Sequence, residues 1–118
     1  MTLEVLMVTV LKPLVEGRVF PDVAPEASPL PRLVYQQVGG RALSFVGNEL
    51  PDLENARMQI AAWARTRAEA KTLIKQAEAA LIQAGALQVE PAGASISHFE
   101  EDTGLYGSYQ DFSIWSDR

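Results

Sequence analysis

The sequence predicts an α+β domain of two layers, an antiparallel sheet with two helices on one of its faces. Three observations carry this expectation. Apolar residues recur at i, i+3 and i+4 in residues 2–15 and again in residues 66–84, the spacing of a buried helix face. Between and after these stretches the pattern changes to period two, which marks strands with one covered side. The resulting order, helix, strands, helix, strands, segregates the helices from the sheet, here expected to have about four or five strands.

Residues 2–15, TLEVLMVTVLKPLV, put Leu3, Leu6, Met7, Val10, Leu11 and Leu14 on one broad face, with Val5 and Val8 beside it. Thr2 is placed to cap this helix and Glu4 suits its first turn. Pro13 ends or kinks it, because a proline pushes the preceding residue away from helical geometry. An apolar surface over most of the circumference suits a helix covered on more than one side, by the sheet and by a neighbouring chain.

Four of the seven prolines, Pro21, Pro25, Pro29 and Pro31, then fall within eleven residues. Each fixes its own φ and lacks an N–H, so residues 21–31 form neither helix interior nor central strand. The expectation is an extended, semi-rigid arm on the surface. Arg32–Gly39 reads as a strand, Gly39-Gly40 as a turn, and Arg41–Val46 as a strand pairing back. Gly47–Leu53 is loop. Asn55–Ala64 is the next strand, with Met58, Ile60 and Ala62 on one face and Arg57, Gln59 and Trp63 on the other.

Residues 66–84 give the clearest helix. Ala70, Leu73, Ile74, Ala77, Ala80, Leu81 and Ala84 share one face, and its alanines allow a close approach to the sheet. Gly85 suits the position just beyond the C-terminus. Arg67, Lys71, Lys75 and Glu78 form a flanking stripe in which Glu78 is spaced to pair with Lys75. Ala86–Val89, Ala94–Glu100 and Tyr106–Ser116 complete the strands, with Thr103-Gly104 in the last turn. Phe112 and Ile114 face the core, and Leu73, Ile74 and Leu81 are expected against them and against Met58 and Ile60.

At 118 residues the chain is one domain, 1–118, with 21–31 as its proline-rich arm. A composition of 47% hydrophobic and 21% charged residues is that of a globular protein, which argues against disorder. No cysteine is present, so disulfide and thiolate chemistry are excluded. No run approaches the ~20 apolar residues of a membrane span, and no basic residue precedes the first apolar run as in a signal peptide.

The net charge of −5 is unevenly spread. Residues 1–85 hold nine Lys/Arg and nine Asp/Glu, whereas residues 86–118 hold six acids and Arg118 alone as a base. An acidic C-terminal quarter disfavours nucleic acid. It reads either as a solvated face or as a docking face for a basic partner, with Glu100 and Glu101 as candidates.

Motifs of catalysis are missing. His98 is the single histidine, and no G-x-S-x-G elbow accompanies it. Glu100-Glu101-Asp102 reads as a solvated turn, without the spacing of a calcium loop. Gly39-Gly40 lacks the lysine and following helix of a phosphate loop. No basic patch interleaves with the aromatic residues as in a single-strand nucleic-acid platform. No cofactor or metal is expected.

Four pieces in order resemble one family. They are the first helix with GRVFPDVAPEASPLPRLVYQQVGG after it, the strand RMQIAAWA, the helix start Arg67-Ala68-Glu69-Ala70, and the closing strand YGSYQDFSIWSD. Together they resemble the small tail-completion, or tail-to-head joining, proteins of long-tailed bacteriophages and prophages. The resemblance implies an α+β subunit of a ring of identical copies, with a hexamer as the candidate state. Such a ring sits at the head–tail junction of the virion, between tail tube and head connector proteins, after assembly in the host cytoplasm. The chain stops at Ser116, Asp117 and Arg118, so a partner contact through a C-terminal tail is not expected. Physics is compatible with a ring, whose subunits carry two different complementary patches. Pro21, Pro25, Pro29, Pro31, Trp63, Glu100, Glu101 and Trp115 are the candidate interface residues, the tryptophans because aromatic side chains are favoured at interface centres. For either tryptophan, packing under a loop of its own chain is the alternative. A head-completion or neck protein of similar size is the nearest alternative function, and a small acidic ligand-binding or enzyme domain the more distant one.

Overall fold

Both helices start at a capping threonine. Thr2 Oγ1 accepts a hydrogen bond from Val5 N at 3.2 Å and opens α1, Leu3–Leu11. Thr66 Oγ1 accepts one from Glu69 N at 3.1 Å and opens α2, Arg67–Ile82. Glu4 and Glu69 lie in the first turns, where a carboxylate is favoured by the helix dipole. The coordinates are a computed structural model that describes residues 2–43, 47 and 50–118.

At Lys12 the first helix tightens into a 3-10 turn, Lys12–Val15, with Pro13 in its first positions. Pro13 has no N–H to continue the α-helical ladder, and the regular α-helix ends before it. Leu3, Met7, Leu11 and Val15 are buried, while Leu6, Val10 and Leu14 are half-buried against the core. The second helix buries Ala70, Leu73, Ile74, Ala77 and Leu81. Its end differs from expectation. Gln83 is the cap in right-handed geometry, and Gly85 does not adopt a positive φ. Bonds from Ala84 N to Leu81 O and from Leu87 N to Ala84 O turn the chain instead.

Six strands, more than the four or five expected, form one sheet: β1 Val19–Pro21, β2 Arg32–Gly39, β3 Leu53–Ala64, β4 Gln88–Pro91, β5 Ile96–Glu100 and β6 Leu105–Asp117. Their order is β1-β2-β3-β6-β4, with β5 on the same edge of β6 as β4. β4 pairs with Phe112–Trp115 and β5 with Leu105–Tyr109. The fold is α+β, as predicted, with two corrections. The sheet is mixed, because β1 runs parallel to β2. The short β1 ends at Pro21 on the sheet edge, where a missing N–H is tolerated.

The second correction concerns Arg41–Val46. Arg41–Leu43 are not in a strand, and residues 44–46 lie outside the described residues. β2 pairs instead with β3, from Arg32↔Trp63 to Gly39↔Arg57. Gly40 explains the path. Its φ is 144°, and a Cβ there would sit 2.5 Å from Asn55 O. The glycine serves a close approach to β3 rather than a hairpin turn.

Alternation divides the sheet. Leu33, Tyr35, Ala56, Met58, Ile60, Ala62, Phe112 and Ile114 face the helices and join their apolar residues in one core, including Leu73, Ile74 and Leu81 as predicted. Tyr35 Oη donates to Glu4 Oε1 at 2.8 Å, tying β2 to α1. Gln110 Nε2 donates to Glu78 Oε2 at 2.8 Å and to Gly93 O at 3.1 Å, tying β6 to α2 and to the β4–β5 link. Glu78 is thus engaged by β6 and makes no ion pair with Lys75, contrary to the reading of the helix stripe.

Candidate interface on the helix-free face

The residues that alternate with the core positions form the other face of the sheet, and no described helix packs on it. Its middle is polar and internally paired. Arg57 Nε donates to Asp111 Oδ2 at 3.0 Å as an ion pair, and Gln59 Nε2 donates to Asp111 Oδ1 at 3.3 Å. Asn55 Nδ2 donates to Ser113 Oγ and to Ile114 O, both at 3.1 Å. Asp111 therefore contributes its charge to the sheet itself.

One end of this face is aromatic. The pairings Trp63↔Gly107 and His98↔Gly107 bring β3 and β5 to either side of one glycine of β6. A Cβ on Gly107 would meet Trp63 Cζ3 at 3.0 Å and Tyr109 Cε1 at 3.1 Å. The missing side chain lets the indole lie over the strand. Trp63 packs edge-on to Tyr109 with centroids 5.7 Å apart, and His98 lies 5.6 Å from Tyr109. Such contacts favour a fixed, offset geometry. Burial raises the Tyr109 hydroxyl pKa, and the charge of nearby Glu100 raises it further. Trp63 remains half-buried and His98 exposed.

Beside this cluster is a groove of about 300 Å³, lined by Asp22, Val23, Ala24, Arg32, Val34, Trp63 and Glu100. It joins the proline segment on one side to the end of β5 on the other, across the sheet. Val23 is 79% exposed. Asp22 N donates to Tyr35 O at 2.8 Å, which fixes where the segment leaves β1. Arg32 Nη1 donates to Ser28 O at 2.8 Å, while its Nε is buried without a partner.

The residues singled out in the sequence fall into two groups. Trp63 and Glu100 line the groove, and Pro21 immediately precedes its wall. Glu100 Oε1 accepts from Thr103 Oγ1 at 2.7 Å, and Glu101 is exposed in the turn that follows β5. Pro25 and Pro29 are exposed; Pro31 is half-buried, with its carbonyl accepting from Arg18 Nε at 2.8 Å. The segment is not a straight extended rod. Ser28 N and Oγ both donate to Pro25 O, and Asp22 and Ala27 have positive φ, so the chain turns back on itself. Trp115 is half-buried on the same face but pairs with Asn55 and Gln88 at the other end of β6, away from the groove. Arg32, Val34 and Tyr109 were missed. Alternation from Trp115 would have found Tyr109; Arg32 and Val34 needed the β2–β3 register.

Among the described residues, no three His, Asp or Glu side chains converge as metal ligands. No described helix is long and apolar enough to cross a membrane.

The geometry defines a small α+β domain with helices on one sheet face, the other face carrying an aromatic cluster and a carboxylate-rimmed groove. The chain belongs to the tail completion protein gp17 family, whose model matches residues 5–117. This is the family that the order of the sequence pieces resembles. No curated protein matches the chain.

Proposed function

We propose that this chain is a non-enzymatic structural protein that completes the phage tail and joins it to the head connector, as a ring of identical copies at the head–tail junction. The observation that carries this reading is the family match over residues 5–117, nearly the whole domain. The helix-free face supports it. Aromatic and apolar groups left half-exposed beside a rigid sheet suit contact between chains. Trp63, Trp115, Glu100, Glu101 and the proline segment with Pro21, Pro25, Pro29 and Pro31 are the residues assigned to such contacts, with copies of the chain itself, the tail tube protein and the head connector proteins as partners. Assembly takes place in the host cytoplasm before incorporation into the virion.

The test is complementation of a phage lacking this gene, with joined and unjoined heads and tails counted by electron microscopy. Wild type restores joining. His98→Phe keeps a ring beside Tyr109 but removes the titratable group, and is expected to restore joining equally. Loss of joining with fold and ring intact would instead favour a chemical role for the histidine.

A further inference from the structure

A second surface of this chain complements the groove. Arg67, Lys71 and Lys75 recur at every fourth residue along α2, and all three are exposed. Like charges at this spacing oppose one another on a helix. Among the described residues the ion pairs are Arg18–Glu16 and Arg57–Asp111, so none of the three cations has an acidic partner. Glu78, the acid nearest to them in the stripe, is turned to Gln110. The groove rim has the opposite imbalance. Asp22 stands on one wall and Glu100 on the other. Glu101 and Asp102 follow in the exposed turn. Arg32 also lines the groove, held toward the proline segment by its bond to Ser28 O.

These two surfaces lie on opposite layers. α2 packs on one face of the sheet and the groove opens on the other. Contact between unlike patches of identical chains is heterologous, and each contact leaves a free stripe at one end and a free groove at the other; the series ends only by closing into a ring. A foreign basic protein in the groove would leave the α2 stripe without an acidic partner, whereas a second copy satisfies both. Arg67 to Lys75 rises about 12 Å along the helix axis, and the cations reach further on flexible stems. An indole beneath them adds attraction through its ring face.

Resting on the ring reading above, we propose that the groove between the proline segment and β5 receives the Arg67–Lys71–Lys75 edge of α2 from a second copy of this chain. Asp22, Glu100 and Glu101 face the cations and Trp63 lies below them.

The experiment uses the same complementation. Glu100→Lys with Glu101→Lys forms one variant and Lys71→Glu with Lys75→Glu another, each checked for an unchanged urea midpoint. Each alone is expected to lower the yield of joined particles about tenfold or more, because exposed pairs are individually weak but here become repulsive. All four changes in one chain restore the attraction with signs exchanged, and the yield returns. As the chain has no native cysteine, Lys71→Cys and Glu101→Cys together give a clean cross-linking pair. Oxidation of purified tails is expected to produce a ladder of linked copies that neither single substitution gives. A ring at the tail end without restoration by the fourfold variant and without the ladder overturns this contact and leaves the tail-completion reading standing. Wild-type tails that lack the chain at their end overturn both.

Discussion

Leu81 and Ile82 are neighbours in sequence with opposite fates, and the pair tests the packing of α2 on the sheet. Leu81 is fully buried, whereas Ile82 is 49% exposed. Leu81→Ala removes three buried carbons and leaves a cavity. Loss at such sites spans about 2–5 kcal/mol, depending on how far the surroundings collapse. Collapse is restricted here. Ala70 and Ala77 are fully buried, so at these positions α2 already sits close to the strands and has little room to approach further. A cost of about 3–4 kcal/mol follows, in the upper half of that range. Against a total of roughly 6–18 kcal/mol for a domain of this length, the change is large. Ile82→Ala loses only partly buried surface, and alanine's better helix propensity returns a few tenths, so it should cost about 1 kcal/mol or less. Urea unfolding followed by tryptophan fluorescence reads both. With a slope of about 1–3 kcal/mol per molar, the Leu81 variant's midpoint falls by roughly 1–4 M while the Ile82 variant's moves by less than about 1 M. Equal shifts, or a larger shift for Ile82, would refute the facing of this helix.

Two further outcomes follow from the joins between layers and from the proline segment. Burial and the Glu4 hydrogen bond raise the Tyr35 pKa from 10.0 to about 12. Its folded value lies above its unfolded one, so the contribution is fully present below pH 10 and lost as pH rises to about 12; Tyr35→Phe should be about 1 kcal/mol less stable at neutral pH and lose that deficit across this window, and a constant difference in unfolding free energy would count against the assignment. Deleting Ala24–Ser28 removes a mostly exposed turn and should leave a cooperative unfolding transition while reducing the yield of joined particles. Global unfolding of that variant by circular dichroism would make the segment part of the domain's own core.

Local pattern carried much of the fold because the core elements are locally consistent. Thr2 and Thr66 announce helix starts by chemistry acting over three residues, and β2, β3 and β6 repeat their alternation for long enough to be distinguished from a helix. What failed was non-local. Gly39-Gly40 looks like a hairpin turn, but the partner of β2 is chosen by core burial, and Leu33 and Tyr35 find it opposite Ala62 and Ile60. β1 is three residues long, too short for any period, and its parallel pairing depends on the path of the proline segment. The candidate site shows the same division. Trp63 stood out by parity. Its meeting with His98 and Tyr109 required two registers converging on Gly107, and the groove required Asp22 and Glu100, 78 positions apart, to reach the two walls of one groove on the same sheet face.

The charge distribution gains meaning from that geometry. By sequence, the first 85 residues are balanced and the last 33 are acidic, which suggests a single acidic surface seeking a basic partner elsewhere. In the fold, the balance within residues 1–85 is only arithmetic. Asp22 stands with the acids of the C-terminal quarter on the helix-free side, and Arg67, Lys71 and Lys75 stand on α2 across the sheet. A formally neutral stretch thus supplies one pole to each layer, and the sheet keeps the poles apart so that they cannot neutralise one another within one molecule. Exposed charges interact appreciably only within about 8 Å at physiological ionic strength. In the proposed ring contact the attraction between these poles acts between copies, and it should weaken when salt is raised. The aromatic floor supplied by Trp63 and Tyr109 is insensitive to salt. A contact that loses only part of its strength at high ionic strength is the expected signature of this surface, whereas complete loss would assign the association to charge alone.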